Sequence, residues 1–317
     1  MRHFTKIPSV FVLALALASK AAVSAEFAQS TATEESYPVI VFDKGHHNYG
    51  IDESDHVIEQ FLSDHGFTVR QDTGLITRRS LEGVDVFHTS NALAPENIDN
   101  WALPTPSAFT PDEIRVLLGW IREGGSLLVV IEHMPFGGSY HALATALGLD
   151  VSNGFAVDAT LLSGYSPDII STAGELLFHR REGSLSDHPI LNTRMPFGTI
   201  DHLATNTGSA FRLPAQGLSL ITFNSNVISL EPEISWVFDG DTPRVSVAGW
   251  SQAGVMELGK GRVAVLGDNF LISAPAYLEP PYVHDENNEA ERGAYNHQFT
   301  LNLYRWLSYQ GADSAIE

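Results

Sequence analysis

The chain has no cysteine. Disulfides, thiolate metal ligands, a cysteine nucleophile and a lipidated N-terminal cysteine are all excluded, although an exported protein could have used any of them. Basic residues are also scarce: 18 Lys and Arg stand against 38 Asp and Glu, a formal net charge of −20. Such a field repels nucleic acid and anionic membranes, so neither is expected as a partner. The acids are spread along the chain, which fits a solvated surface better than an acid-lined cleft. Long apolar runs are missing too. The stretch Ile7 to Ser19 is shorter than the roughly 20 residues a membrane-spanning helix needs, and no membrane insertion is expected.

What is present at the N-terminus reads as an export signal over residues 1–25. Arg2 and Lys6 form a charged start, Ile7 to Ser19 the apolar segment, and Val23-Ser24-Ala25 the small residues before a cut near Ala25/Glu26. Removing it takes away three basic residues (Arg2, Lys6, Lys20) and no acid, so −20 becomes −23. A periplasmic or secreted location is expected. Residues 26–36 are small and polar, a flexible leader; one α/β domain is expected over 37–308, with an irregular insertion at about 150–243 and a tail at 309–317.

The organising stretch is GGSLLVVIEHMPFGG, Gly124 to Gly138. A glycine pair that ends a helix, an apolar run, then Glu132-His133 before Pro and Gly is the grammar of a central parallel strand delivering side chains to a loop. Pro38 to Asp43 reads as a first buried strand with KGHHNYG as its loop, Phe67 to Arg70 as a second, and Val84 to Thr89 as a third. Phe109-Thr110-Pro111-Asp112-Glu113 is a helix start with Thr110 as N-cap, Glu113 closing a capping box and Phe109 as a staple. Tyr140 to Leu147 is the next helix. Short strand-like pieces follow at Glu175 to His179, Ser209 to Leu213, Leu218 to Phe223 and Ile234 to Phe238. Strands at Arg244 to Trp250 and Val255 to Leu258 precede a second buried strand, Gly261 to Asp268, and a closing helix, Tyr295 to Leu307. The acidic, Pro-rich loop Ala274 to Gly293 is a candidate lid. The order predicts a three-layer, flavodoxin-like, mostly parallel sheet with an antiparallel extension in the second half.

FDKGHHNYG, GGSLLVVIEHMPFGG, SDHPIL at 186 to 191 and GKGRVAVLGDNFLISA followed by NHQFTLNLYRWL, taken in that order, resemble the class I glutamine amidotransferase-like superfamily, in an exported branch of domains of unknown function. The same layout is similar to ThuA-like proteins and to the N-terminal domains of gliding-motility and intraflagellar-transport proteins. The resemblance covers about residues 37–150 and 244–308. In catalytic members it implies a cysteine nucleophile after the organising strand and a His-Glu pair later in the chain. Here that elbow reads Ile131-Glu132-His133-Met134 and the chain has no cysteine, so a cysteine-dependent amidotransferase is excluded. The resemblance implies a fold and not the eponymous activity.

Asp43, His46, His47, Asn48, Glu132, His133, Asp268 and Asn269 are expected at one sheet edge, with His297 of the closing helix reaching the same crevice. Glu132, His133 and Asp43 are candidates for general acid/base work. His46, His47, Asn48, Asp268, Asn269 and His297 are candidate ligand contacts. Asp43, His46 and His133 could hold zinc or a similar divalent ion, since imidazole and carboxylate suit it without thiolate. Each has a plainer reading. Asp43 could cap the turn after its strand, Glu132 could turn back and pair with Arg262, and polar residues at strand ends are commonly just hydrogen-bonded. His188 and His202 read as structural, and Ser139 as an N-cap. Tyr49, Trp101, Tyr140, Tyr277 and Tyr282 either anchor loops or stack on sugar rings, and the ThuA-like resemblance points to the latter. Three functions compete: a non-amidotransferase binding domain for a small polar molecule or carbohydrate; a hydrolase or isomerase acting on glycosides or sugars; and an interaction module with an envelope protein partner.

Overall fold

The computed structural model describes residues 37–49, 52–192, 198–273 and 295–308. The expected export signal and leader, the Ala274 to Gly293 candidate lid with Tyr277 and Tyr282, and the expected tail lie outside them. Among the described residues no helix is long and apolar enough to cross a membrane.

Strand β1 (Val39–Asp43) is followed by helix α1 (Asp52–Asp64), β2 (Thr68–Asp72) and β3 (Val86–Ser90). Helix α2 (Pro111–Glu123) leads into the organising strand β4 (Ser126–Val130), then α3 (Phe136–Ser139) and α4 (His141–Leu147). The five parallel strands lie in the order β2-β1-β3-β4-β14, with β14 (Gly261–Leu266) donated from near the end of the domain. This is the flavodoxin-like order, which reverses direction between β1 and β3 and opens a crevice at the strands' carboxyl ends.

Pleating sorts the core into two layers. Ile40, Leu128, Val130, Ala264 and Leu266 face one side, packed with Ile58 and Leu62 of α1 and with Phe299, Leu303 and Leu307 of the closing helix. Val41, Leu127, Val129, Val263 and Val265 face the other, packed with Leu117, Leu118 and Ile121 of α2 and Leu143 and Leu147 of α4. Every residue of β4 is buried, because helices cover both faces of the sheet.

The α2 start is built as its residues demand. Thr110 accepts from the Glu113 amide, and Glu113 accepts from Thr110 N, closing the capping box. Gly148 ends α4 in the left-handed region, at φ 82°.

The second half adds β5 (Asp150–Val151), β6 (Phe155–Asp158), helix α5 (Pro167–Gly174), β7 (Glu175–His179), β8 (His202–Asn206), β9 (Phe211–Arg212), β10 (Leu218–Thr222), β11 (Val227–Leu230), β12 (Arg244–Ser246) and β13 (Ser251–Leu258). Strand β13 pairs antiparallel with β14 and extends the main sheet through β9 and β5, with β10 also on β13. Strands β12-β11-β6 form a separate antiparallel sheet, and β7 pairs with β8. Ile234 to Phe238, expected as a strand, is a turn: Trp236 has φ 65°, which breaks a ladder. The short α6 (Phe270–Ser273) and closing α7 (Asn296–Ser308) complete the fold.

Candidate functional site

The carboxyl ends of β1, β3, β4 and β14 carry a polar floor. It divides into a buried network and a more open part.

The network centres on His46, which is 4% exposed. Its Nδ1 lies 2.8 Å from Asp43 Oδ1 and its Nε2 3.0 Å from Glu113 Oε1, so both nitrogens donate to carboxylates and the ring is an imidazolium. Burial by itself lowers the His46 pKa, but the hydrogen bonds and charges of Asp43 and Glu113 outweigh it and the net shift is upward. Glu113 is opposed by the same desolvation, yet the Thr110 and Ile76 donors and the charge of His46 pull its pKa down. Thr89 Oγ1 donates to Asp43 Oδ2 at 2.8 Å and lies 2.9 Å from the Tyr140 hydroxyl, which accepts from Ala92 N. Gly45 lets the loop close, since a Cβ there would lie 2.3 Å from Gly74 O.

The network engages part of the expected site in internal contacts. Asp43, 2% exposed, and His46 are occupied with each other and with Glu113, not with the crevice. Among the described residues, Asp43, His46 and His133 do not bring three ligand atoms within 4.8 Å of one another; His179, Asp201 and His202 do. His297 packs edge-on against Phe61 of α1, with ring centroids 5.9 Å apart, and burial lowers its pKa to about 4.

The open part starts at Glu132. This half-buried residue does not turn back to Arg262, which instead stacks on Trp306. Its Oε2 accepts from Asn91 Nδ2 at 2.8 Å and its Oε1 from Asn269 N at 3.3 Å. Desolvation raises its pKa against those two donors. Asp268, fully buried one strand over, accepts from Phe270 N at 2.7 Å and from Asn206 N. Desolvation and then the Glu132 charge push its pKa well above the usual carboxyl range. Two carboxyls so placed cannot both ionise cheaply, and each holds its proton above its ordinary range.

His133 forms an aromatic wall beside Glu132. Its ring stacks on Phe155 at 4.4 Å, meets Trp236 edge-on at 5.0 Å and lies 6.1 Å from Trp101. Tyr49, 53% exposed, abuts Trp101 at 4.5 Å. Burial lowers the His133 pKa to about 4, so the ring is neutral. Nδ1 lies 2.7 Å from Met134 O and donates to it, which leaves Nε2 as the acceptor. Nearby, His47 is exposed, and Asn48 Nδ2 donates to Ser90 O. Ser139 is not an N-cap: its hydroxyl donates to Ala92 O at 2.6 Å.

The non-glycine residues with positive φ among those described are His47, Asn91, Thr207 and Trp236. Three flank this floor directly, and Thr207 follows Asn206, the donor to Asp268. Such conformations cost on the order of 1–3 kcal/mol each and cluster where a site demands them. The sequence reading missed Phe136, Phe155 and Trp236 as wall residues. A hydrophobic pattern marks them only as core, and nothing local announces that three segments meet at His133.

No family model matches the sequence, and no curated protein does either. Among solved structures, the mmIFT52 N-terminal domain is similar over 87% of this chain and 99% of its own, at 15% identity and a TM-score of 0.51. The cytoplasmic protein STM1381 from Salmonella typhimurium LT2 is similar over 86% of this chain and 100% of its own, at 14% identity and a TM-score of 0.48. A protein described as ThuA-like, from Parabacteroides merdae ATCC 43184, is similar over 86% and 90%, at 12% identity and a TM-score of 0.40. At these identities the likeness is one of fold.

Proposed function

We propose that the chain is an exported, non-catalytic binding domain of the amidotransferase-like kind, holding a small polar ring, a carbohydrate by chemistry, at the strand-end crevice. The observation that carries this reading is Glu132 fixed between Asn91 and Asn269 at the foot of the aromatic wall of Trp101, His133 and Trp236. A pyranose offers an apolar face for such rings and hydroxyls for a carboxyl and an imidazole acceptor. Glu132, His133, Asn269, Asn48 and His47 are the proposed contacts. Asp43 and His46 hold the loop that presents the last two, and Asp268 tunes Glu132. Export rests on residues 1–25.

Thermal unfolding of the wild type against a panel of mono- and oligosaccharides tests this. At least one sugar should stabilise saturably, and Trp101→Ala and Glu132→Gln should each weaken the response while remaining folded. An intact fold that responds to no sugar sinks the reading.

One observation favours a second reading, a hydrolase or isomerase acting on sugars. Glu132 and Asp268 both hold their protons above the ordinary carboxyl range, the direction a general acid requires. Turnover with a bell-shaped pH profile, lost in Glu132→Gln, would establish it. Binding without turnover would return the site to the first reading.

A further inference from the structure

Away from the crevice, β7 and β8 carry a pair of histidines. The antiparallel register places His179 directly opposite His202. Directly opposed residues put their Cβ atoms about 4.5–5.5 Å apart on one face of the ladder. Here the two rings have centroids 5.5 Å apart and planes inclined at 52°, neither stacked nor splayed. Asp201, the residue before β8, brings Oδ2 to 3.7 Å from His202 Nδ1. One nitrogen from each imidazole and one Asp201 oxygen lie within 4.8 Å of one another.

A second observation points the same way. His179 Nδ1 is sealed from solvent and has no hydrogen-bond partner. A buried ring nitrogen without a partner is costly unless something occupies it. Around the pair the backbone is already settled. Arg180 N donates to Asp201 O at 2.8 Å, and the Arg180 guanidinium donates to Ile200 O and Leu191 O. The flank of His202 is covered by the Tyr295 ring, edge-on at 4.8 Å. Asp201 keeps its side chain 58% exposed, and the open side of the group is there.

We infer that His179, His202 and Asp201 form a three-ligand site for a divalent transition metal, zinc being the best match. Two imidazoles and one carboxylate are the donor set such ions take, and the fourth position falls to water on the Asp201 side. Tetrahedral bonds of 2.0–2.1 Å require ligand atoms about 3.3 Å apart. The Asp201 to His202 spacing of 3.7 Å is close to that value. The metal would clasp β7 to β8, a two-stranded sheet with no third strand among the described residues. This site shares no residue with the crevice, and it stands or falls independently of the carbohydrate reading.

The test uses the full chain, stripped with chelator and titrated with zinc by calorimetry and with cobalt by visible absorption. One equivalent should bind, with cobalt bands of a four-coordinate site. His179→Gln and His202→Gln should each weaken binding about a hundredfold, and Asp201→Asn about tenfold. His133→Phe should leave uptake unchanged. The metal-free melting temperature of each variant serves as the folding control, and glutamine keeps a polar side chain in place of the ring. Zinc binding that survives the double variant His179→Gln/His202→Gln, or a wild-type chain that takes up no metal at one per chain, overturns the assignment.

Discussion

The imidazole of His133 lies flat on the ring of Phe155, centroids 4.4 Å apart and planes 9° from parallel. The stack fixes the ring's face, and the Nδ1 to Met134 O hydrogen bond fixes its tautomer, so Nε2 is presented as a neutral acceptor. His133→Phe preserves shape and stacking, and should change stability by less than about 1.5 kcal/mol. It removes the acceptor, so sugar affinity should fall about tenfold, the value of one hydrogen bond. Paired denaturation and titration experiments read the two effects separately.

His46 bridges Asp43 and Glu113, two buried carboxylates. His46→Gln should cost about 3–5 kcal/mol, as expected when one partner of a buried ion network is removed. The sign with pH follows from the raised pKa. The folded state holds this proton more tightly, so the stabilisation is complete below the unfolded value of about 6.5 and is lost as pH rises through the folded value. In urea unfolding, the difference between wild type and variant should therefore be largest in mild acid and shrink toward alkaline pH.

Glu132 and Asp268 also titrate above their ordinary values. A carboxyl that binds its proton more tightly when folded stabilises in full below its unfolded value, about 4, and ceases to do so as pH rises through the folded one. Glu132→Gln removes the charge that helps raise Asp268. The Asp268 carboxyl resonance should then titrate at lower pH, and stability should decline less steeply as pH rises above the unfolded value. An unchanged Asp268 titration would contradict the coupling.

His88 behaves in the opposite sense. Burial, then the charge of Lys44, depress its pKa to about 3, so the folded state refuses a proton the unfolded chain accepts near 6.5. Its contribution is present above that value and is lost as pH falls toward 3. His88→Phe should reduce the acid-side slope by up to about 1.4 kcal/mol per pH unit. At pH 7 it should cost about 1–2 kcal/mol, because the Tyr304 hydroxyl loses its 2.9 Å partner Nδ1.

Much of the parallel half was legible residue by residue. Continuous apolar runs flanked by glycine located β1, β4 and β14, and Thr110 with Glu113 located the start of α2. Glu113 also shows where such reading stops. One oxygen caps the helix as the motif says, while the other reaches His46, a partner 67 residues away that no local pattern announces. The same holds for β6 and β11, four-residue strands whose pairing of Phe155 with Leu230 crosses the whole insertion. The His179 and His202 pair was hidden for the same reason, since its signal lies in register and not in spacing.

Strand β4 pairs on one side with β3, made shortly before it, and on the other with β14, in which Val265 meets Val129 only after the entire insertion has been synthesised. At ribosomal rates of about 5–20 residues per second, the nascent chain carries an open, largely apolar strand edge for several seconds. Such an edge is a template for pairing with other chains. A chain of this topology is therefore a natural client for a holding chaperone during synthesis, and truncations ending before Gly261 should aggregate instead of yielding a smaller soluble domain.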